Sequence, residues 1–459
     1  MTRLFVEICV AVLLQPVASL WAQVDTTPSA PVPAVTGPGS DSSDQMRTPP
    51  PVSGQSYPNA PTSEERSNYL RGGVTFTGAY TDNALGAIDG HPVSDESYSV
   101  APSIALDETT ARLHIVSTYA PGFTFYQRES NLNEADQNAS IDVRYRLSPH
   151  VTLSGRDGFQ KSSSVFNQPD LTSDLTVSGG TQAANFSIIP PIADHLNNTG
   201  NIGITAQFAA NGMVGASGTF TNLHYPNQAE VPGLYDSSSQ GGSAFYSHRV
   251  SKMHYLGVTY QYQRLLSYPT AAQNETQTQA VLLFYTLYPS SRFTVSVYGG
   301  PQYANVGPQF SSFVSTPSPG FQSWSPQAGG SMSWQGRLTN VAVSYSHVIS
   351  GGGGLIGAVK LDSANATIRQ QMKRNLSGAL AAGYAQNDVL GSTLLSGNNG
   401  HTISGTASLQ QQFGERINVQ LGYTRLREDY SGVAVLAATP NTNREFISIS
   451  YRFSRPLGR

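Results

Sequence analysis

From Leu70 to the C-terminal end of the chain, apolar and polar residues alternate with a period of two. Between Ala139 and Leu147, for instance, apolar side chains take the odd positions, and Ser, Asp and Arg take the even ones. Such alternation predicts a β-strand with one apolar and one polar face. Eighteen segments carry the pattern: 70–81, 95–106, 110–121, 136–148, 150–161, 197–209, 211–224, 240–251, 253–265, 275–288, 291–304, 324–336, 339–350, 358–372, 375–387, 400–413, 415–428 and 443–453.

The predicted strands are long, and their connections alternate in length. A strand of about a dozen residues is roughly twice the usual length in soluble domains, but it suits a tilted strand that crosses a bilayer. Short turns follow the even-numbered strands, and Gly/Ser/Asn/Pro-rich loops follow the odd-numbered ones, which is typical of membrane barrels. The sequence therefore predicts an all-β fold, a transmembrane antiparallel up-and-down β-barrel of about 18 strands. An even strand count places both barrel ends on the side of the short turns.

Composition agrees with a lipid-facing sheet. Only 12% of the 459 residues are charged, which is half the usual share, while 10% are aromatic and the net charge is -3. The aromatic content excludes a wholly disordered chain. Past residue 24 no apolar run approaches the ~20 residues that a membrane-spanning helix needs, so a polytopic helical membrane protein is excluded. The sequence has no block of basic residues, so nucleic acid is not expected as a partner.

Aromatic residues near the predicted strand ends should form the two girdles of a membrane barrel. Those near short turns are Tyr145, Tyr255, Tyr288, Phe293, Trp334, Phe413 and Phe453; those near long loops are Tyr80, Tyr119, Tyr262, Trp324, Tyr345, Tyr384 and Tyr423.

The N-terminal 66 residues differ from the rest. Residues 1–22 are predicted to be a secretory signal peptide, with Arg3 before an apolar stretch and a small-residue cleavage site after Ala22. Residues 23–66 are rich in Pro and Ser and are predicted to be a disordered linker or tail; a Pro-rich partner-binding motif is the alternative. The barrel is predicted over 67–454, with a C-terminal extension at 455–459. Cys9, the one cysteine, leaves with the signal peptide, so disulfides and thiol chemistry are not expected.

The last predicted strand carries apolar residues at alternate positions, namely Ile447, Ile449, Tyr451 and Phe453. It resembles the terminal strand of Gram-negative outer-membrane β-barrel proteins, although this chain continues past the final aromatic to Arg459. The resemblance implies that these four residues are an assembly signal for the barrel-assembly machinery. It also implies a location in the bacterial outer membrane, contact with outer-membrane lipid, and N- and C-termini in the periplasm. The oligomeric state stays open, and porin-type barrels are often trimers.

The longest predicted connection, residues 162–196, is the third external loop. In porins the third loop folds into the barrel and sets a constriction in which acidic and basic residues face each other. The candidates are Asp170, Asp174 and Asp194 in the loop and Arg144, Arg146 and Arg156 on the adjacent hairpin, with Asp142 predicted directly across from Arg156. Such a transverse field would order polar solutes in a narrow channel. Alternatively, the loop caps the outside and the arginines solvate a wide lumen.

Neutral amides and hydroxyls form a second candidate lining. They are Gln261, Gln263, Ser344, Ser346, Gln410, Gln412, Asn418 and Gln420. Such groups suit the passage of carbohydrates, although any water-filled barrel would show a similar wall. Two strands break the pattern. The strand at 275–288 is apolar on both faces from Ala280 to Leu287, which predicts a partly packed lumen. The segment 358–372 changes phase, which predicts a bulge or a misplaced strand boundary.

The sequence thus predicts a porin-like channel for passive passage of small polar solutes, sugars being one candidate class. The alternative is an accessory barrel for exopolysaccharide export or cell-surface assembly, with polysaccharide as the partner. An enzyme is not expected, because His248 and His347 neighbour serines but lack a glycine elbow or a third catalytic partner. No cofactor and no metal are predicted, since zinc-ligand spacing, a P-loop and a dinucleotide fingerprint are absent from the sequence. The rival fold is a secreted soluble β-protein, but a propeller or solenoid should show a fixed repeat.

Overall fold

The computed structural model describes Met46 and residues 68–84, 92–162, 194–228, 234–269, 273–290, 292–311, 314–351, 357–390, 400–430 and 441–457. Within these ranges the chain forms an antiparallel sheet that closes on itself, because the first strand pairs with both the second and the last. The predicted signal peptide and, apart from Met46, the predicted Pro-rich segment lie outside these ranges. Among the described residues, no helix is long and apolar enough to cross a membrane.

The strands follow one another around the ring in chain order. They are β1 (Asn68–Thr81), β2 (Asp95–Thr109), β3 (Leu113–Tyr119), β4 (Gly122–Tyr126), β5 (Glu134–Ser148), β6 (Val151–Ser162), β7 (His195–Ala209), β8 (Gly212–His224), β9 (Ser237–Arg249), β10 (His254–Ser267), β11 (Asn274–Ser290), β12 (Phe293–Val306), β13 (Gln309–Ser311), β14 (Val314–Ser318), β15 (Phe321–Gln335), β16 (Thr339–Gly351), β17 (Ala358–Lys373), β18 (Leu376–Val389), β19 (Gly400–Phe413), β20 (Ile417–Tyr430) and β21 (Asn441–Pro456). Both β3 and β4 lie between β2 and β5, so they are two segments of one barrel strand. Since β13 and β14 pair only with each other, the barrel has eighteen strands, as the alternation predicts.

Each predicted strand corresponds to a barrel strand, with bounds that differ by a few residues, and three differences are informative. The segment β4 was not predicted, because Pro121 interrupts the pattern of the third strand. At the C-terminal end β21 continues to Pro456, since Arg455 pairs with Leu70 and Pro456 with Tyr69. The change of phase within 358–372 is neither a bulge nor a misplaced boundary, because β17 spans Ala358–Lys373 and its registers with β16 and β18 run without a shift as far as Gln371. The apolar residues of β17 change from the inner to the outer face instead.

Alternation along each strand separates an exposed apolar outer face from a more buried inner face. On β10, Leu256 and Tyr260 are 50% and 46% exposed, whereas Tyr255 and Thr259 are 3% and 0% exposed. A sheet that is closed in this way pairs its backbone groups around the ring, so its outer face can contact lipid. Exposed aromatics gather towards both ends of the outer face, for example Tyr119, Trp324 and Tyr345 towards the long loops and Trp334, Phe413 and Phe453 towards the short turns. Tyr255 and Tyr288, predicted for a girdle, are buried on the inner face instead.

The long-loop ends of β16 and β17 leave the wall and turn into the lumen. The pairing of β15 with β16 ends at Ala328 and His347, although β15 goes on pairing with β12 as far as Phe321. In a continued ladder Pro326 would stand across from Ile349, and proline has no N–H to donate. The Ile349 N–H instead donates to Gln302 Oε1 of β12, 3.2 Å away. Pro326 lies within β15, and its missing N–H would leave the carbonyl across from it without a donor, which explains why the ladder stops here.

Candidate functional site

Two parts of the lumen lining differ in their chemistry. We call the inner faces of β9, β10, β11 and β12 the covered wall, because their side chains are mostly buried. We call the inner faces of β1–β6, β17 and β21 the charged wall, because arginines and carboxylates project from them in half-exposed positions. A solute that passes through the barrel would meet both.

Ion pairs hold the charged side chains in place along the charged wall. Arg71 Nη2 lies 3.3 Å from Asp107 Oδ2, and His114 Nε2 lies 3.2 Å from the other oxygen of the same carboxylate. Two strands away, Arg144 Nε lies 3.4 Å from Asp142 Oδ1. In the short-turn half of this wall arginines outnumber carboxylates: the arginines are Arg71, Arg144, Arg146, Arg156, Arg369 and Arg452, and the carboxylates are Asp107 and Asp142. Towards the long loops the same faces carry Asp95, Glu134 and Asp136 and the arginine Arg444. The field in the lumen is therefore positive on this side in the short-turn half.

The structure describes some of the residues that were predicted for the constriction. Asp142 stands directly across from Arg156 in the β5–β6 register, as predicted. Asp194 immediately precedes β7, and its Oδ2 is 3.0 Å from Nζ of Lys161, which lies with Phe159 on the outer face of β6 rather than on the inner face that carries Arg156. Asp170 and Asp174 lie outside the described residues. A constriction made by the third loop thus stays a prediction.

The neutral polar residues share inward faces but lie on two sides of the lumen. Gln261 and Gln263 belong to β10 of the covered wall, where Gln327 Nε2 donates to Gln261 Oε1 at 3.4 Å. On β19 and β20, across the lumen, lie Gln410, Gln412, Asn418 and Gln420. Ser344 and Ser346 line β16, and the Ser346 hydroxyl is 2.7 Å from that of Ser363. The predicted neutral wall is therefore three separate patches, on β10, on β16 and on β19 and β20.

An apolar cluster fills the covered wall at its long-loop end. Its buried members are Leu265, Ala304, Ile349, Ala358 and Leu390. They come from strands on different sides of the ring, and a hydrogen bond from Gly357 N–H to Ser267 Oγ at 3.1 Å ties β17 to β10. The inward turn of β16 and β17 thus narrows the lumen here. Sequence reasoning missed this feature, although Pro326 and the change of apolar face in β17 were its signals.

A second apolar cluster covers the same wall at its short-turn end. It contains Met213, Phe245, Tyr255, Ala280, Leu282, Phe284 and Tyr288, and Met46 packs among them. The sequence predicted a partly packed lumen from the two apolar faces of β11, and the burial of Leu282 and Phe284 agrees with it. The contribution of Met46 could not be foreseen, because it lies in the Pro-rich segment.

Asp236 organises the connection between β8 and β9 at the long-loop end. Its Oδ2 is 2.7 Å from His224 Nδ1, and its Oδ1 accepts the Tyr225 N–H at 2.8 Å. The Tyr225 side chain is buried, and this burial, reinforced by the negative charge of Asp236, raises the pKa of the phenol above its ordinary value. Tyr225 therefore stays neutral.

The histidines weighed as catalytic candidates lie on the outer face. His248 Nδ1 is 3.2 Å from the Tyr246 hydroxyl. His347 Nδ1 is 2.8 Å from Asp362 Oδ1, which also accepts the Tyr345 hydroxyl at 2.7 Å. In the described part of the chain, no group of three or more His, Cys, Asp or Glu residues is arranged to hold a metal ion.

The terminal-strand residues Ile447, Ile449, Tyr451 and Phe453 share the outer face of β21, which pairs with β1 and closes the ring. This is the placement expected of lipid-facing residues. Their reading by the barrel-assembly machinery stays a prediction.

No protein-family model and no curated protein matches the chain. Solved structures of similar shape include the outer membrane protein OpdK from Pseudomonas aeruginosa (10% identity, 84% of this chain and 99% of that chain, TM-score 0.40). OccK2 (OpdF) from Pseudomonas aeruginosa in complex with glucuronate has 11% identity over 84% of this chain and 98% of that chain, with a TM-score of 0.41. OccAB1 from Acinetobacter baumannii has 12% identity over 85% and 98%, with a TM-score of 0.41. At this level of similarity, function has to be argued from the residues of this chain.

Proposed function

We propose that the chain is a bacterial outer-membrane barrel that forms a porin-like channel for the passive passage of small polar solutes. The observation that carries this proposal is the contrast between the two faces of a closed eighteen-stranded sheet. The outer face is apolar and exposed, as lipid requires. The inner face carries half-exposed arginines, carboxylates and amides, which suit a polar, wet passage.

The two apolar clusters favour small solutes. They cover the β9–β12 wall near both ends of the barrel. The remaining path runs along the charged wall and past the amides of β19 and β20. A path of this kind suits diffusion of small molecules better than export of a polymer, so we favour the channel over the accessory-barrel alternative.

The lining also suggests a preference among small solutes. Glutamine and asparagine side chains on β19 and β20 offer hydrogen bonds to sugar hydroxyls. The surplus of arginines on the charged wall should repel cations and favour anions. We therefore expect neutral and anionic solutes to pass faster than cations of similar size.

Liposome swelling tests the proposal directly. The full chain is refolded, its folded state is verified by faster migration on unboiled SDS gels, and it is inserted into liposomes. We expect swelling in isotonic sugar solutions, slower swelling with cationic amino acids of similar size, and none with heat-denatured protein. A folded barrel that gives neither swelling nor conductance would contradict the channel proposal.

We further propose that both termini face the periplasm, because an even number of strands returns the chain to the side on which it started. An epitope tag placed after Pro456 should then be protected from protease in intact cells and become accessible after the outer membrane is permeabilised. Cleavage of the tag in intact cells would place the short turns outside. The barrel-assembly machinery as a partner stays part of this proposal, and the oligomeric state is to be measured on the same refolded protein.

A further inference from the structure

The inner face of β8–β11 carries an apolar pocket near the short turns. We define the Met46 pocket by Met213, Phe245, Tyr255, Leu282, Phe284 and Tyr288, whose exposed fractions are 4%, 4%, 3%, 0%, 2% and 8%. These side chains alternate with lipid-facing neighbours, so they point into the lumen. In a water-filled lumen they would be wetted, and leaving apolar surface in water is unfavourable in proportion to its area. These side chains pack on one another and are covered on the lumen side.

Met46 occupies this pocket. It is 2% exposed and belongs to the same cluster of buried side chains. Its backbone N–H also donates to Gln207 Oε1 on β7, 3.0 Å away. Methionine is flexible and polarizable and fits irregular apolar sites well. A side-chain contact and a backbone hydrogen bond thus hold the same residue.

The length of chain between Met46 and β1 does not by itself force Met46 into the pocket. The pocket centres on β10 and β11, the ninth and tenth of eighteen barrel strands, which lie across the ring from β1. Eighteen strands spaced ~4.8 Å apart give a circumference of about 90 Å and a width of about 30 Å before tilt is counted. Met46 precedes Asn68, the first residue of β1, by 22 positions. At ~3.3–3.6 Å per residue this stretch could reach about 70 Å. The chain is long enough for Met46 to lie elsewhere, so the pocket selects its position.

We propose that the Met46 pocket is an intramolecular docking site for the N-terminal segment. Met46 is the anchor, and it holds the chain at this position to the inner wall of the barrel, near the short turns. The anchor takes up part of the cross-section at this end of the lumen. This inference requires a folded barrel but does not require the channel activity proposed above.

A cysteine cross-link tests the position of Met46. Cys9 is the one native cysteine, so Cys9→Ser gives a background without thiols. Met46→Cys combined with Gln207→Cys should be joined by a short bifunctional thiol reagent, which is seen as a mobility shift on denaturing gels. The matched control combines Met46→Cys with Gln420→Cys, a buried inward glutamine on β20 at the far side of the lumen. We expect the first pair to cross-link and the control pair not to. Equal cross-linking of the two pairs, or none in the first, would overturn the proposal.

Thiol labelling tests whether the apolar contact is what holds the anchor. In the folded barrel with Gln207→Cys, a water-soluble maleimide should react slowly while Met46 is docked. Met46→Asp should raise the labelling rate at least severalfold, because a carboxylate is costly in an apolar pocket, whereas Met46→Leu should leave it unchanged. The same rate in all three proteins would contradict docking. Both readouts are obtained without solute transport, so a failed channel assay leaves them interpretable.

Discussion

The pairing of β1 with β21, which we call the seam, closes the barrel and allows a prediction with a matched control variant. Gly72 on β1 stands directly across from Phe453 on β21, and the phenylalanine ring lies over the glycine. A Cβ atom at residue 72 would lie 2.6 Å from Phe453 Cε1 and would also press against Cζ. Because ordinary carbon contacts are ~3.5–4.0 Å, the ring would have to move by about 1 Å. Gly72→Ala should therefore strain the contact at which the sheet closes.

Two opposing terms set the size of this effect. Replacing glycine with alanine stabilises a compatible site by about 0.4–1 kcal/mol through the unfolded chain. Overpacking that forces a side chain out of its place costs about 1–3 kcal/mol, so we expect Gly72→Ala to destabilise the barrel by about 1–2 kcal/mol. Gly155→Ala on β6 is the control, since nothing lies within 4 Å of the added Cβ on the same outer face. It should be neutral or slightly stabilising.

Heat modification on SDS gels measures the difference. The temperature at which the folded band converts to the unfolded one should fall for Gly72→Ala and stay level or rise for Gly155→Ala. Phe453→Leu should cancel most of the loss when it is combined with Gly72→Ala, because leucine lacks the ring that the Cβ meets. Equal conversion temperatures for the two alanine variants would refute the reasoning about the seam.

Three further predictions concern the lumen and its rim. Asp142→Asn removes the carboxylate 3.4 Å from Arg144. Since two unit charges ~4 Å apart in water interact with about 1 kcal/mol, the anion-to-cation permeability ratio, measured from reversal potentials, should rise by up to about fivefold. A fall in this ratio would contradict a positive field in the lumen. Leu282→Ala should cost about 2–5 kcal/mol because it opens a cavity inside the barrel, whereas lipid can fill the space left by Leu283→Ala on the outer face; equal shifts of the heat-modification temperature would count against inward packing. Asp236→Ala should speed protease cleavage in the β8–β9 connection, because it removes the partner of Tyr225 N–H and of the neighbouring histidine; unchanged cleavage would show that the carboxylate does not hold this connection.

The strands could be predicted from the sequence because their signal is local. Alternation fixes which residues share a face, and a run of about a dozen residues fits one crossing of the membrane, so the eighteen barrel strands were found with small errors at their ends. The face of Tyr255 was also open to prediction, since it alternates with Leu256 on β10. Its position near a turn predicts a place in a girdle, whereas its alternation with the exposed Leu256 predicts that it points into the lumen, as it does.

The coverings of the lumen could not be predicted, because they depend on contacts between residues far apart in the chain. Ile349 meets Leu265 and Gln302 only after β16 has left the wall, and nothing in the sequence near Ile349 specifies those partners. Pro326 gave a hint, since it removes a donor from the ladder. A missing donor predicts where pairing ends, but not where the freed strand goes.

Along the covered wall, apolar residues also point inward, which departs from the pattern of apolar residues outside and polar residues inside. Each of these inward apolar patches is covered by another apolar residue of the chain. Leu282 and Phe284 point inward from β11, and Met46 covers them near the short turns. Leu265 points inward from β10, and Ile349 covers it near the long loops. Each inward apolar patch thus has a covering residue that reaches it from a distant part of the chain. If these inward apolar residues had no structural role, we would expect them to be exposed to water in the lumen. Instead, the patch at each end of the barrel is covered by an apolar residue from a distant part of the chain. The covered wall is therefore part of how the lumen is shaped, and the open part of the lumen lies along the side of the barrel that carries the arginines.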